Sequence, residues 1–171
     1  MMPRIIYFTF AAFLAGCATL SNPLPDSYAG PTAKVRDTIS NNDKHKGDIC
    51  VMSALDGKAM TDSIVETEKR QRGMGLTLNS WVIERRVPAQ PVRATLRCET
   101  VYSAPIFAMV GTNYRVDGVV DFVPQAGGHY VVRGVLTEAA QAVWIEDDDT
   151  GTVVTEKVHG IGKPTGATGS K

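Results

Sequence analysis

Val92-Arg93-Ala94-Thr95-Leu96-Arg97-Cys98-Glu99-Thr100-Val101-Tyr102 decides how this chain folds. Val92, Ala94, Leu96 and Cys98 alternate with Arg93, Thr95 and Arg97. Successive side chains of an extended backbone point to opposite faces, so a period of two gathers the apolar residues on one face. This is the pattern of a long, half-buried strand. Pro88-Ala89-Gln90-Pro91, just before it, reads as a turn.

The same alternation recurs on either side. Tyr114 to Val123 sets Val116, Gly118, Val120 and Phe122 on one face. Pro124-Gln125-Ala126-Gly127-Gly128 turns the chain, and His129 to Leu136 repeats the pattern with Tyr130, Val132, Gly134 and Leu136. A last strand is expected over Ala142-Val143-Trp144-Ile145, ended by an acidic turn, Glu146 to Gly151. Upstream, Ala33 to Thr38 is a short alternating run, and Asp48 to Ala54 leads into Leu55-Asp56-Gly57-Lys58. Asp-Gly between apolar runs signals a hairpin. Leu76-Thr77-Leu78 and Trp81 to Val87 read as further strand.

One segment departs from this pattern. Ser63-Ile64-Val65-Glu66 matches a capping box, and the run to Arg72 meets Gly73, so a helix is expected over 63–72. Seven or so short strands with Gly/Pro turns and one short helix predict a mainly β chain, an antiparallel β-sandwich or a small barrel. The cadence of "RRVPAQPVRATL" and "VDFVPQAGGHYVV" resembles the strand–turn–strand units of transthyretin-like and immunoglobulin-like modules of exported proteins. That resemblance implies a fold and no activity.

With 171 residues, 43% of them hydrophobic, the chain suffices for one cored domain and not two. The domain is expected over 33–157. Residues 1–16 hold one base (Arg4) and no acid, which leaves 17 bases against 18 acids in the remainder. A near-neutral chain offers no electrostatic reason for binding nucleic acid or for holding a lipid surface by charge alone.

The N-terminus is informative in a different way. Arg4 precedes Ile5-Ile6-Tyr7-Phe8-Thr9-Phe10-Ala11-Ala12-Phe13-Leu14. A basic start, a short apolar run and small residues after it describe a secretory signal peptide, too short to span a bilayer permanently. Leu14-Ala15-Gly16-Cys17 at its end resembles the lipobox of bacterial lipoproteins. The resemblance implies that residues 1–16 are removed and that Cys17 carries the lipid. Two or three acyl chains hold a protein where one would not. Ala18 at the second mature position implies delivery to the outer membrane, facing the periplasm. Residues 18–32, with three prolines, are expected to form an extended tether reaching about 45 Å. Residues 158–171, rich in glycine, are expected to be a disordered tail.

With Cys17 lipidated, Cys50 and Cys98 remain as a pair in an oxidising compartment. They either bridge or stay as two buried thiols. No Cys-x-x-Cys is present, and a redox or zinc role is not expected.

Catalytic motifs are lacking: there is no Gly-x-Ser-x-Gly, Ser-x-x-Lys or His-Glu-x-x-His. His45, His129 and His159 do not share ligand spacing, so no metal site or cofactor is expected. In Glu146-Asp147-Asp148-Asp149-Thr150-Gly151 the glycine stands one place early for a calcium loop and no closing Glu follows, which leaves a solvated turn. Lys69-Arg70-Gln71-Arg72 and Arg85-Arg86 alternate with acids and read as ordinary surface.

Residues 103–111, "SAPIFAMVG", are apolar without a clean period of two, and Pro105 breaks any central strand. The plain reading is a crossover loop covering one end of the sandwich. The functional reading makes Pro105, Ile106, Phe107 and Met109 a contact for a partner, ligand or membrane. Complete burial would exclude the second. The expectation is therefore a lipid-anchored envelope lipoprotein that acts as a non-enzymatic binding or accessory module for an envelope protein. Two alternatives stay open: an inhibitor or protective factor acting on a hydrolase, and an enzyme with a site built from scattered residues. The residues indicate no small-molecule ligand class.

Overall fold

A computed structural model describes residues 22–25 and 27–160. Cys17 and its lipobox neighbours Leu14, Ala15 and Gly16 lie outside the described residues, as do 161–171. The described residues form a β-sandwich of two five-stranded sheets. Strands β1 (Thr32–Arg36), β5 (Glu84–Pro88), β8 (His129–Leu136), β9 (Gln141–Asp147) and β10 (Val158–His159) make the first, ordered β10-β9-β8-β1-β5. In the second, β2 (Thr38–Ser40), β3 (Lys46–Leu55), β6 (Val92–Tyr102) and β7 (Arg115–Phe122) follow in that order, with β4 (Lys58–Ala59) against β3. Among the described residues all strand pairings are antiparallel except β1 with β8, which is parallel.

The alternation read in β6 sets the core. Ala94, Leu96 and Cys98 are fully buried and meet Val132, Val143 and Ile145 of the facing sheet. Phe122 stands edge-on to Tyr130, with ring centroids 5.0 Å apart, a favourable aromatic geometry. β3 lacks clean alternation because both its faces are covered. Cys50 and Met52 enter the sandwich, while Ile49 and Val51 join Ile64, Leu78 and Val101 in a second cluster beneath helix α1 (Ser63–Gln71).

Cys50 and Cys98 are directly opposite each other on β3 and β6 and are joined by a disulfide. The bridge points into the core, where Gly134 of β8 makes room: a Cβ there would lie 2.8 Å from both sulfurs and from the Ala142 carbonyl oxygen. The Asp-Gly hairpin between β3 and β4 is present, with φ of 48° at Asp56 and 77° at Gly57.

Several expectations are corrected. The run 33–38 is not one strand: the chain changes sheets at Asp37, between β1 and β2. Asp62, not Ser63, is the N-cap of α1 and accepts from the Val65 N–H at 2.9 Å; the Ser63 hydroxyl is drawn away to Asp37. Residues 76–83 form no strand, because their backbone is tied to loops and to α1 instead. Of the expected tether, residues 18–21 and 26 lie outside the described residues. Leu24 is not part of a free linker: it is buried on the domain beside Leu55, Met60 and Pro88. Nor is the end of the described chain a tail: Val158 and His159 pair with Val143 and Ala142, and Val158 fills the space left by Gly118. Residues 103–111 contain a second helix, α2 (Pro105–Val110), where a loop was expected.

Candidate functional site

Helix α2 stands at the end of β6 and is held by its flanks. Ser103 is buried; its N–H donates to the His45 carbonyl and its hydroxyl to the Leu76 carbonyl, both at 2.8 Å. Pro105 occupies the first turn, where its missing N–H costs nothing. Gly111 closes the helix, donating to the Phe107 carbonyl at 2.9 Å, and any side chain there would collide with the Tyr102 ring. The Tyr102 hydroxyl donates to the Thr112 carbonyl, and the Asn113 amide to the Ala108 carbonyl.

These bonds fix the backbone of α2 while leaving its side chains uncovered. No α2 residue is buried; Ile106, Met109 and Val110 are 56%, 76% and 80% exposed. Phe107 is the exception in direction, turning back to lie against the His45 ring at a centroid distance of 4.3 Å. The same His45 places Nδ1 2.8 Å from the Leu76 carbonyl oxygen. A carbonyl can only accept, so Nδ1 carries the proton. Met74 and Leu76, in the turn after α1, are more than half exposed, and the Leu76 carbonyl ties that turn to His45 and Ser103 beside α2. Gly73 and Gly75, with φ of 81° and 86°, make that turn, and both take this backbone shape without strain.

Two clefts flank α2. One, of about 570 Å³, lies between α1 and α2 and has Glu99, Val101 and Ser103 of β6 and its extension as its floor. The other, of about 480 Å³, lies on the far side, between Lys44-His45-Lys46 and Phe107-Val110. Burial pushes the Glu99 carboxyl above its ordinary range, and the attraction of Arg115 and Arg97 does not cancel that effect. Asp43 is held below its ordinary range by the N–H groups of His45 and Lys46.

Pro105, Ile106, Phe107 and Met109 thus come together on one short helix, and the burial that would have excluded a contact role is absent. Val110, within the same stretch, adds to the surface, and His45 and Leu76 join it without having been read from the sequence as part of it. The helix itself had a signal: Pro at its first position and Gly just past its end.

The other candidates are engaged elsewhere. The acidic turn is closed on itself: Asp147 accepts from the Thr150 hydroxyl and the N–H groups of Thr150 and Asp149. Asp148 pairs with Arg36 at 2.7 Å. Among the described residues no group of His, Cys, Asp and Glu converges to hold a metal. Of the basic clusters, Arg70 pairs with Glu66 and lies over the Trp81 ring at 3.7 Å. Arg85 departs from the surface reading, being buried against Asp37.

Comparisons with protein families, curated proteins and solved structures return no match. The apolar end of the sandwich therefore stands on its own geometry.

Proposed function

We propose that this chain is a lipid-anchored lipoprotein of the bacterial envelope, and that its β-sandwich presents α2 to a protein partner. The observation that carries the reading is a six-residue helix with no buried residue, clamped at both ends by hydrogen bonds from Ser103, Gly111 and Asn113. A loop that merely closed a sandwich would turn its apolar residues inward.

The placement of the two ends supports the reading. β3 runs from Lys46, opposite Tyr102 at the α2 end, to Leu55, beside Leu24 and Tyr28 at the other. Ten residues of strand separate them, about 30 Å. A lipid on Cys17 would be joined to Asn22 by at most about 18 Å of chain. The anchor would then hold one end of the sandwich near the bilayer and leave α2 facing away from it. Tethering raises the effective concentration of the domain near a partner in the same envelope.

The experiment is site-directed photocrosslinking in living cells, with the crosslinker at Met109, or at Val119 as an exposed control on β7. One partner crosslinked from Met109 and not from Val119 is the expected result. Equal crosslinking from both positions, or none from Met109, overturns the reading. Mass spectrometry of the mature chain tests the anchor separately, and an unmodified Cys17 removes it.

A further inference from the structure

We propose that the cleft between α1 and α2 receives a lysine or arginine side chain of the protein that covers α2. The inference rests on the partner-binding reading above and adds the chemistry of what enters.

The cleft has the size of a small-ligand site, about 570 Å³. Its walls near α2 are apolar, formed by Val101, Ala104, Pro105 and Ala108. Glu99 of β6 lines the same space, together with the exposed Glu68 of α1. An aliphatic stem ending in a cation matches that arrangement, because the stem buries against apolar surface while the head reaches a carboxylate. An anion would meet both glutamates.

The charges already present do not satisfy Glu99. Its side chain is 18% exposed, and its ion pair with Arg115 is long at 3.5 Å. Arg115 is held closer by Asp117, at 2.9 Å. Arg97, on the same strand, also attracts Glu99, more than Glu68 or Asp62 of the α1 segment repels it. Burial outweighs the two arginines, so ionised Glu99 is less stable here than in water. Arg72, the cation of the cleft lining, is exposed. The polar groups of Tyr102 and Ser103 are spent on the Thr112 and Leu76 carbonyls. A cation entering beside Glu99 gains a partly desolvated partner, which is worth more than a surface ion pair.

The test uses the full chain in detergent and two probes, Nα-acetyl-lysine-N-methylamide and its neutral analogue with norleucine in place of lysine. NMR chemical shifts of the Val101, Ala104 and Ala108 methyl groups report occupancy. The expected result is saturable binding of the lysine probe, at least tenfold tighter than the norleucine probe, and lost tenfold or more in Glu99→Gln. Equal binding of the two probes, or unchanged affinity in Glu99→Gln, overturns the proposal. Should Glu99→Gln not fold, the Glu99 carboxyl is titrated in the native chain with and without the lysine probe. A fall in its pKa on saturation supports the proposal and an unchanged value overturns it. Met109→Glu separates the two readings. It should abolish crosslinking to the partner while leaving the lysine probe bound. Partner crosslinking that persists in the native chain while the lysine probe fails to bind overturns this inference alone.

Discussion

The guanidinium of Arg85 grips the carboxylate of Asp37 at two points, 2.6 and 2.8 Å, with both side chains out of solvent. Asp37 sits where the chain leaves one sheet for the other, and Arg85 is on β5, forty-eight residues away. The carboxylate also accepts from the Met52 N–H, the Ser63 N–H and the Ser63 hydroxyl. Arg85 donates to the Met52 carbonyl, and the Ser63 hydroxyl accepts from the Ile83 N–H. One buried ion pair thus joins both sheets, the start of α1 and the approach to β5. Removing either partner leaves a buried charge uncompensated.

Asp37→Ala should therefore cost about 3–5 kcal/mol of stability. Urea denaturation of the variant and the native chain measures it. A loss below about 1 kcal/mol would mean that the pair does not hold the sheets together.

Gly134 is required by the disulfide it faces. In Gly134→Ala the new Cβ meets the Ala142 carbonyl, which is backbone, and both sulfurs, so a loss of about 1–3 kcal/mol is expected. Replacing Cys50 and Cys98 by Ala should cost on the order of 4 kcal/mol through the loop they close. In that background Gly134→Ala should cost less than in the native chain, since two of its three close contacts are gone. Denaturation midpoints of the four proteins decide this, and strict additivity would contradict it.

Glu99 makes stability depend on pH with a definite sign. Its folded-state pKa is raised by burial above the ordinary 4.5, so the folded chain holds this proton more tightly than the unfolded one. Stability from this group is present below the unfolded value and is lost as pH rises through the folded value. Glu99→Gln removes that loss. The stability difference in favour of the variant should grow as pH is raised from about 4 to 7. Parallel curves for variant and native chain would show that Glu99 is not the source.

The apolar residues of α2 should matter for contact and not for folding. Ile106→Ser and Met109→Ser, at side chains more than half exposed, should change stability by no more than about 0.5 kcal/mol. Val132→Ala, in the core, should cost about 2 kcal/mol. Thermal melts compare the three. A large loss at Met109 would assign α2 a packing role and remove its claim as a docking surface.

Much of the fold was legible in the order of the residues. The alternation of Val92 to Cys98, the Asp56-Gly57 hairpin and the helix ended before Gly73 each follow from effects that act over a few positions. The limits of β8 were read without error, because turn residues bound it on one side and Tyr130, Val132, Gly134 and Leu136 share one face. Of the candidate surface, Pro105, Ile106, Phe107 and Met109 were found by their apolar character alone.

Tertiary structure decided the rest. A short apolar run has no period that separates helix from loop, so beyond the Pro105 and Gly111 signals α2 depends on the bonds at Ser103, Gly111 and Asn113. Leu76, read as strand, joins that surface because its carbonyl is shared by His45 and Ser103. Arg85 looked like surface because a charge is unremarkable until its partner is known, and Asp37 is distant in sequence. The pairing of Cys50 with Cys98 likewise waited on the register of β3 against β6. Local pattern determines which residues can be strand, turn or helix. Which polar groups are buried together, and which apolar ones are left uncovered, depends on partners that only packing brings into reach.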